Sequence, residues 1–317
     1  MSKIRKRKIS RSKKAGQFTI NEAQEIVLSR KSIEGLRSET LRNYSKVFKH
    51  LQAFFNDVSV GDITESDAKD FILFLVEKDI ANSTINSYLH CLRAIFKTLE
   101  EEELATNVFK NIKRLKTDQK HIEILTISEL KKLLKAIDQS KYNEFRDFVL
   151  INVLLDTMGR IQETIKLKVS DVDFTKHTIT FNETKSRKAR LVPVGRNTLK
   201  LLRELIKENE EFDTDNIFLS VTGEPITKSA REISTKLKVY GERAGLNKRI
   251  HFHLFRHTAA SHFLKESKNI RLLQKLLGHS DISITQRYAH VLDEDLYREA
   301  EEYSIVKSLT NKKKLSR

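Results

Sequence analysis

The sequence predicts a mainly α-helical protein of two domains: an all-α unit of about four helices, then a mixed α+β domain with a small antiparallel sheet. Three observations predict it. Apolar residues recur at helical spacing from about residue 19 to residue 99, a polar aperiodic stretch follows at 113–120, and beyond it one pair of strand-like runs interrupts renewed helical periodicity. A length of 317 residues suits two domains of roughly 150 residues, each able to bury its own core.

The elements follow in order. A segment near residues 19–31 supplies a first helix. Residues 38–56 place Leu41, Tyr44, Val47, Phe48, Leu51, Phe54 and Phe55 on one stripe behind Ser38 as a cap. Thr64-Glu65-Ser66-Asp67 opens a third, with Ala68, Phe71, Ile72 and Leu75 inward, and Ser83 is read as the cap of a fourth, whose Ile85, Leu89, Leu92, Phe96 and Leu99 repeat at helical intervals. Together they read as a compact helical unit. The polar stretch from Lys113 to Lys120 is the linker, with the boundary near 119.

Thr126-Ile127-Ser128-Glu129 then forms a capping box ahead of Leu130, Leu133, Leu134 and Ile137. Residues 145–156 are apolar enough for a buried helix leading into Gly159-Arg160-Ile161-Gln162-Glu163. His177–Phe181 and Arg190–Val194 read as a β-hairpin around a basic turn, residues 182–189, with Lys185, Arg187, Lys188 and Arg190 near its tip. From Thr198 onward the periodicity is helical again. The chain is thus divided into a basic flexible arm at 1–16, a helical domain at 17–118, a second domain at 119–300, and a tail at 301–317.

The net charge is +16, which favours a polyanionic partner. Its distribution tempers that inference. Residues 1–16 carry eight Lys and Arg and no acid, and Lys312, Lys313, Lys314 and Arg317 add four more, so most of the excess lies in the tails and the body is nearly balanced. The arm reads equally as a phosphate-tracking segment or as a solubilising tail. A single cysteine, Cys91, excludes a disulfide framework and a cysteine-rich zinc site and points to a reducing compartment. No apolar run reaches the roughly 20 residues that span a bilayer, and no apolar signal core opens the chain.

Two short segments concentrate chemistry. His253-Leu254-Phe255-Arg256-His257-Thr258 sets an imidazole and a guanidinium at i and i+3 on one helical face, able to address one phosphate; Leu276-Leu277-Gly278-His279-Ser280 is followed by Tyr288. Phosphate binders beside a phenol suggest strand cleavage by a protein side chain. Taken singly, each residue has a plainer reading: Arg160 as a salt-bridged partner of Glu163, Lys185 as a solvated hairpin lysine, Tyr288 as one of 7 tyrosines. His251, His253, His257, His262 and His279 also invite a metal reading, which the lack of a His-Glu-x-x-His element disfavours.

Order and spacing together single out one family. Gly159–Glu163 with Leu167-Lys168-Val169-Ser170-Asp171-Val172-Asp173, then His253–Thr258, then Leu276–His279 with Tyr288, resemble the tyrosine recombinases, or phage integrase family, in an Xer-like two-domain layout. The resemblance covers residues 17–115, as a SAM-like core-binding domain, and residues 121 to about 300, as the catalytic domain. One departure stands out: where the family has Thr-Gly-x-Arg, this chain has Thr157-Met158-Gly159-Arg160.

The resemblance implies a catalytic set of Arg160, Lys185, His253, Arg256, His279 and Tyr288, with no metal and no cofactor. Arg160 and Arg256 would grip the scissile phosphate, His279 would donate to it, and Tyr288 would attack with His253 as its base. Lys185 would protonate the departing 5′ oxygen, and Glu163 would orient Arg160. It further implies double-stranded DNA with inverted half-sites as substrate, a C-shaped clamp around the duplex, and a tetramer of this chain or with a related recombinase. The segment after Tyr288 is a possible subunit-contact helix, and the setting is cytoplasmic, bacterial and nucleoid-associated, with no membrane. Two other readings remain: a catalytically silent DNA-binding repressor on the same fold, which would lack some of the six positions, and a related topoisomerase, which would relax supercoils without recombinants.

Overall fold

The computed structural model describes residues 18–56, 58–117, 122–182, 189–226 and 230–288. The chain divides into two compact units on either side of residue 120, each with its own core.

The first unit contains α1 (Ile20–Ile33), α2 (Ser38–Phe55), α3 (Glu65–Glu77) and α4 (Asn82–Glu101). Thr19 starts α1 with a capping box: its hydroxyl accepts from the Glu22 amide while the Glu22 carboxylate accepts from the Thr19 amide. Thr64 and Asp67 repeat the device at α3. Two expected caps fall elsewhere. Ser38 is the first residue of α2 with Arg37 in the cap position, and α4 starts one residue before Ser83, after Ala81. The Asn82 side chain donates instead to the Lys116 carbonyl at 2.9 Å. Phe48, Leu51, Phe71, Leu75, Leu92 and Phe96 fill the core.

The chain leaving α4 is tied back to it. Asn86 bonds the Leu115 amide and carbonyl at 2.9 Å each, and Arg93 donates to the Phe109 and Ile112 carbonyls. The segment read as a linker therefore begins anchored as far as Lys116. The expected boundary near 119 lies outside the described residues, as do the arm at 1–16, the hairpin tip with Lys185, and the tail.

The second unit is mainly helical with one small antiparallel sheet. It comprises α5 (Ile127–Lys135), α6 (Tyr142–Thr157), α7 (Ile161–Thr164), β1 (Val172–Asp173), β2 (Thr178–Phe181), β3 (Arg190–Pro193), α8 (Arg196–Glu208), α9 (Ala230–Arg243), α10 (Phe252–Ser267), α11 (Ile270–Leu277) and α12 (Ser283–Gln286). Helix α6 is its centre: Val149, Leu150, Ile151, Val153 and Leu154 are all buried, and it packs on α8 and α10. Apolar residues on every side of a helix mean burial on every side.

The sheet has the order β1-β2-β3, with Val172 opposite Ile179 and Phe181 opposite Arg190. Ile179, Phe181 and Val192 face the core, while Leu191 is 64% exposed on the other face, as two-residue alternation requires. Pro193 ends an edge strand, where its missing N–H breaks no ladder. A smaller apolar cluster of Met158, Ala260, Leu264, Leu273, Leu277 and Tyr288 joins α10 and α11 to the end of α6. The site is built around it.

Candidate active site

Arg256 lies on the buried face of α10, 5% exposed. Two helix ends hold it. Met158, which ends α6 in a left-handed conformation (φ 52°), turns its carbonyl onto Nη1 at 2.5 Å, and the Leu277 carbonyl at the end of α11 accepts from Nη2 at 2.9 Å. A guanidinium suits this position because helix C-termini carry free carbonyls and partial negative charge. Burial, with the nearby charge of Arg160, pulls the Arg256 pKa down to about 10, so it remains a cation at neutral pH.

Nη2 of Arg256 also meets Nε2 of His279 at 3.1 Å, and His279 Nδ1 is 2.9 Å from the Thr285 hydroxyl. A guanidinium can only donate, so Nε2 accepts and Nδ1 carries the hydrogen given to Thr285. Burial and Arg256 hold the His279 imidazole at about 4, a neutral ring at pH 7. Gly278 sets its position by ending α11 at φ 63°. A Cβ there would lie 3.0 Å from Cδ of Arg190, so both the left-handed turn and the close approach call for glycine.

Arg160 follows Gly159 and stands before the single turn of α7. Its amide donates to Glu163 Oε1 at 2.6 Å, while its guanidinium is 3.7 Å from that oxygen and 28% exposed. The buried Glu163 instead receives both terminal nitrogens of Arg190 at 2.7 Å each. Burial alone would raise the Glu163 carboxyl, but those bonds and the Arg160 amide hold it below the usual carboxylate range. Glu163 thereby fixes the Arg160 backbone and leaves most of its donor fork open. Arg190 also stacks on Phe181, 4.6 Å from the ring centre.

Tyr288 is 1% exposed, its ring packed into the small apolar cluster. Its hydroxyl lies 2.7 Å from Nδ1 of His257. Burial raises the phenol's pKa, against the pull of Arg256 and Arg287, so it rests protonated. His253, one turn earlier on α10, is exposed at the rim, its ring 6.2 Å from that of His257. Burial of its inner side, then Arg256, lowers its pKa; burial, then Arg287, lowers His257 to about 4.

Arg160, His253, Arg256, His279 and Tyr288 are thus gathered where α6, α10 and α11 meet, and Lys185 lies outside the described residues. Three participants were not singled out from sequence for these positions. His257 was visible only as the residue after Arg256 and as one of five histidines weighed for a metal, Arg190 only as one hairpin cation, and Thr285 carried no signal. The arrangement sets several cations against one buried carboxylate, which suits an anion, beside a shielded phenol. Among the described residues no three His, Cys, Asp or Glu side chains are grouped to hold a metal ion.

Comparison with known proteins identifies the family. Residues 123–295 match the model of the phage integrase family and residues 20–115 that of the phage integrase SAM-like domain. Tyrosine recombinase XerC of Oceanobacillus iheyensis is 34% identical over 249 residues, covering 76% of this chain and 80% of that protein. Tyrosine recombinase XerA of Thermococcus onnurineus is 30% identical over 92% of this chain and 99% of its own. Among solved structures, the Tn1549 transposon integrase in complex with transposon right end DNA shares the fold, with a TM-score of 0.75 and 22% identity over 90% of this chain and 99% of that one. A match across both units, with the arginines, histidines and tyrosine in one pocket, establishes that the chain belongs to the phage integrase family, the tyrosine recombinases.

Proposed function

We propose that this chain cuts and rejoins duplex DNA at a specific site through a covalent bond between Tyr288 and the 3′ side of the break. The observation that carries the reading is the pocket around Arg256: a buried cation braced by two helix ends, with a phenol bonded to the very next residue of α10. Arg160 and Arg256 neutralise the non-bridging oxygens and the added charge of the pentacoordinate transition state. His253 lines the rim. His279 donates through Nε2 once a phosphate replaces the Arg256 contact, because the Thr285 hydroxyl can reverse its own bond and give its hydrogen to Nδ1.

Tyr288 Oη attacks phosphorus, the bond to the 5′ oxygen breaks, and Lys185, by family resemblance, returns a proton to that oxygen. The new ester keeps the energy of the broken one, so another 5′ hydroxyl can reverse the step without a nucleotide cofactor. Inverted half-sites and a tetramer, of this chain alone or with a related recombinase, are part of the same reading. The DNA-bound Tn1549 integrase structure supports DNA as the substrate. No helix of the described residues is long and apolar enough to cross a membrane.

A nicked half-site tests the reading. With a short strand that diffuses away after cleavage, the chain should be trapped as a covalent adduct, and Tyr288→Phe should bind equally but form none. An adduct that survives Tyr288→Phe would falsify the assignment of the nucleophile. Binding without any adduct in the unaltered chain would favour a silent DNA-binding protein.

A further inference from the structure

We infer that His257, rather than His253, is the base that takes the Tyr288 proton during cleavage and returns it during rejoining. This rests on Tyr288 being the nucleophile. Sequence spacing directs attention to His253, because it shares the His-x-x-Arg motif with Arg256. The geometry assigns the task to the next turn of α10. Nδ1 of His257 lies 2.7 Å from Oη of Tyr288, within hydrogen-bond reach of the proton to be moved. His253 stands one helical turn away and exposed, its ring centre 6.2 Å from that of His257.

The surroundings of His257 suit a base. Held near 4 by burial and neighbouring cations, the ring is neutral at pH 7 and keeps a lone pair available. The same surroundings weaken it while the pocket is empty, which keeps the phenol protonated at rest. A bound phosphate neutralises the arginine charges, so the imidazole gains basicity as the substrate arrives.

The step then balances. The Oη–H bond breaks and its proton passes to Nδ1 of His257 as the Oη–P bond forms and the bond from phosphorus to the 5′ oxygen breaks. On rejoining, the imidazolium returns that proton to the departing phenolate.

His257→Asn separates proton transfer from mere holding, because an asparagine amide oxygen falls near the Nδ1 position and can accept the phenol hydrogen bond but cannot keep the proton. In single-turnover trapping on a nicked half-site, His257→Asn should form the adduct about 100-fold more slowly than the unaltered chain at equal DNA affinity. His253→Asn should be less impaired in adduct formation when DNA is saturating. A His257→Asn rate within threefold of the unaltered chain overturns the inference. If Tyr288→Phe still forms an adduct, the reading of the nucleophile fails instead, so the two failures are distinct. A second measurement needs no change at His257: in nitrogen-15 histidine spectra of the full chain, Tyr288→Phe should shift the His257 ring signals, and unmoved signals overturn the inference.

Discussion

At the scale of single residues the site depends on Glu163, the one acid set among its arginines in the described residues. Both carboxylate oxygens are engaged by Arg190, and one also takes the Arg160 amide. Glu163→Gln keeps the shape and removes the charge, leaving Arg190 half-paired in a buried position, which costs about 3 kcal/mol. Because the folded carboxyl titrates below its ordinary value of 4.5, its stabilisation is complete above that pH and fades as pH falls through the folded pKa. Denaturant unfolding should therefore show a constant gap between the two proteins from pH 8 to 6 and a narrowing one below about 4.5. A gap unchanged at low pH would remove the charge from the explanation. The unaltered protein should also cleave faster, since Arg160 is aimed through the backbone bond that Glu163 accepts.

At the scale of elements, the turn between α6 and α7 shows how far sequence reasoning reached. The capping box at Thr126, the helix start at Thr64, the helical stripes and the β2–β3 hairpin were legible because each is a local pattern with a local cause. The displaced glycine was legible only as a departure. Met158 occupies the left-handed position at a cost of about 1 kcal/mol, offset by its burial in the small apolar cluster and by the carbonyl it turns onto Arg256. Gly159 is required for a different reason. A Cβ there would lie 2.6 Å from Thr164 Oγ1 and 3.0 Å from the Phe181 ring. Gly159→Ala should thus cost 1–3 kcal/mol in chemical unfolding and slow adduct formation by moving Arg160; unchanged stability would mean that α7 shifts freely. The two-residue β1 and the contacts of His257, Arg190 and Thr285 exist only through long-range packing, which no local pattern encodes.

At the scale of the whole molecule, the charge distribution separates affinity from chemistry. The body is nearly balanced in charge, yet the pocket sets Arg160, Arg190 and Arg256 around a single buried carboxylate, Glu163. If the eight cations of residues 1–16 track phosphates, they add to the salt dependence of binding without taking part in the chemistry. Counterion release makes each phosphate contact add about 0.9 to the slope of log affinity against log salt. Replacing those eight Lys and Arg by Gln, with every residue of the pocket kept, should flatten the slope by at least about 3 in binding titrations. The adduct should still form at the unaltered rate once DNA is saturating, because no charge in the pocket has changed. An unchanged slope would reduce the arm to a solubilising tail, and a slower rate at saturation would mean that the arm also helps to seat the scissile phosphate.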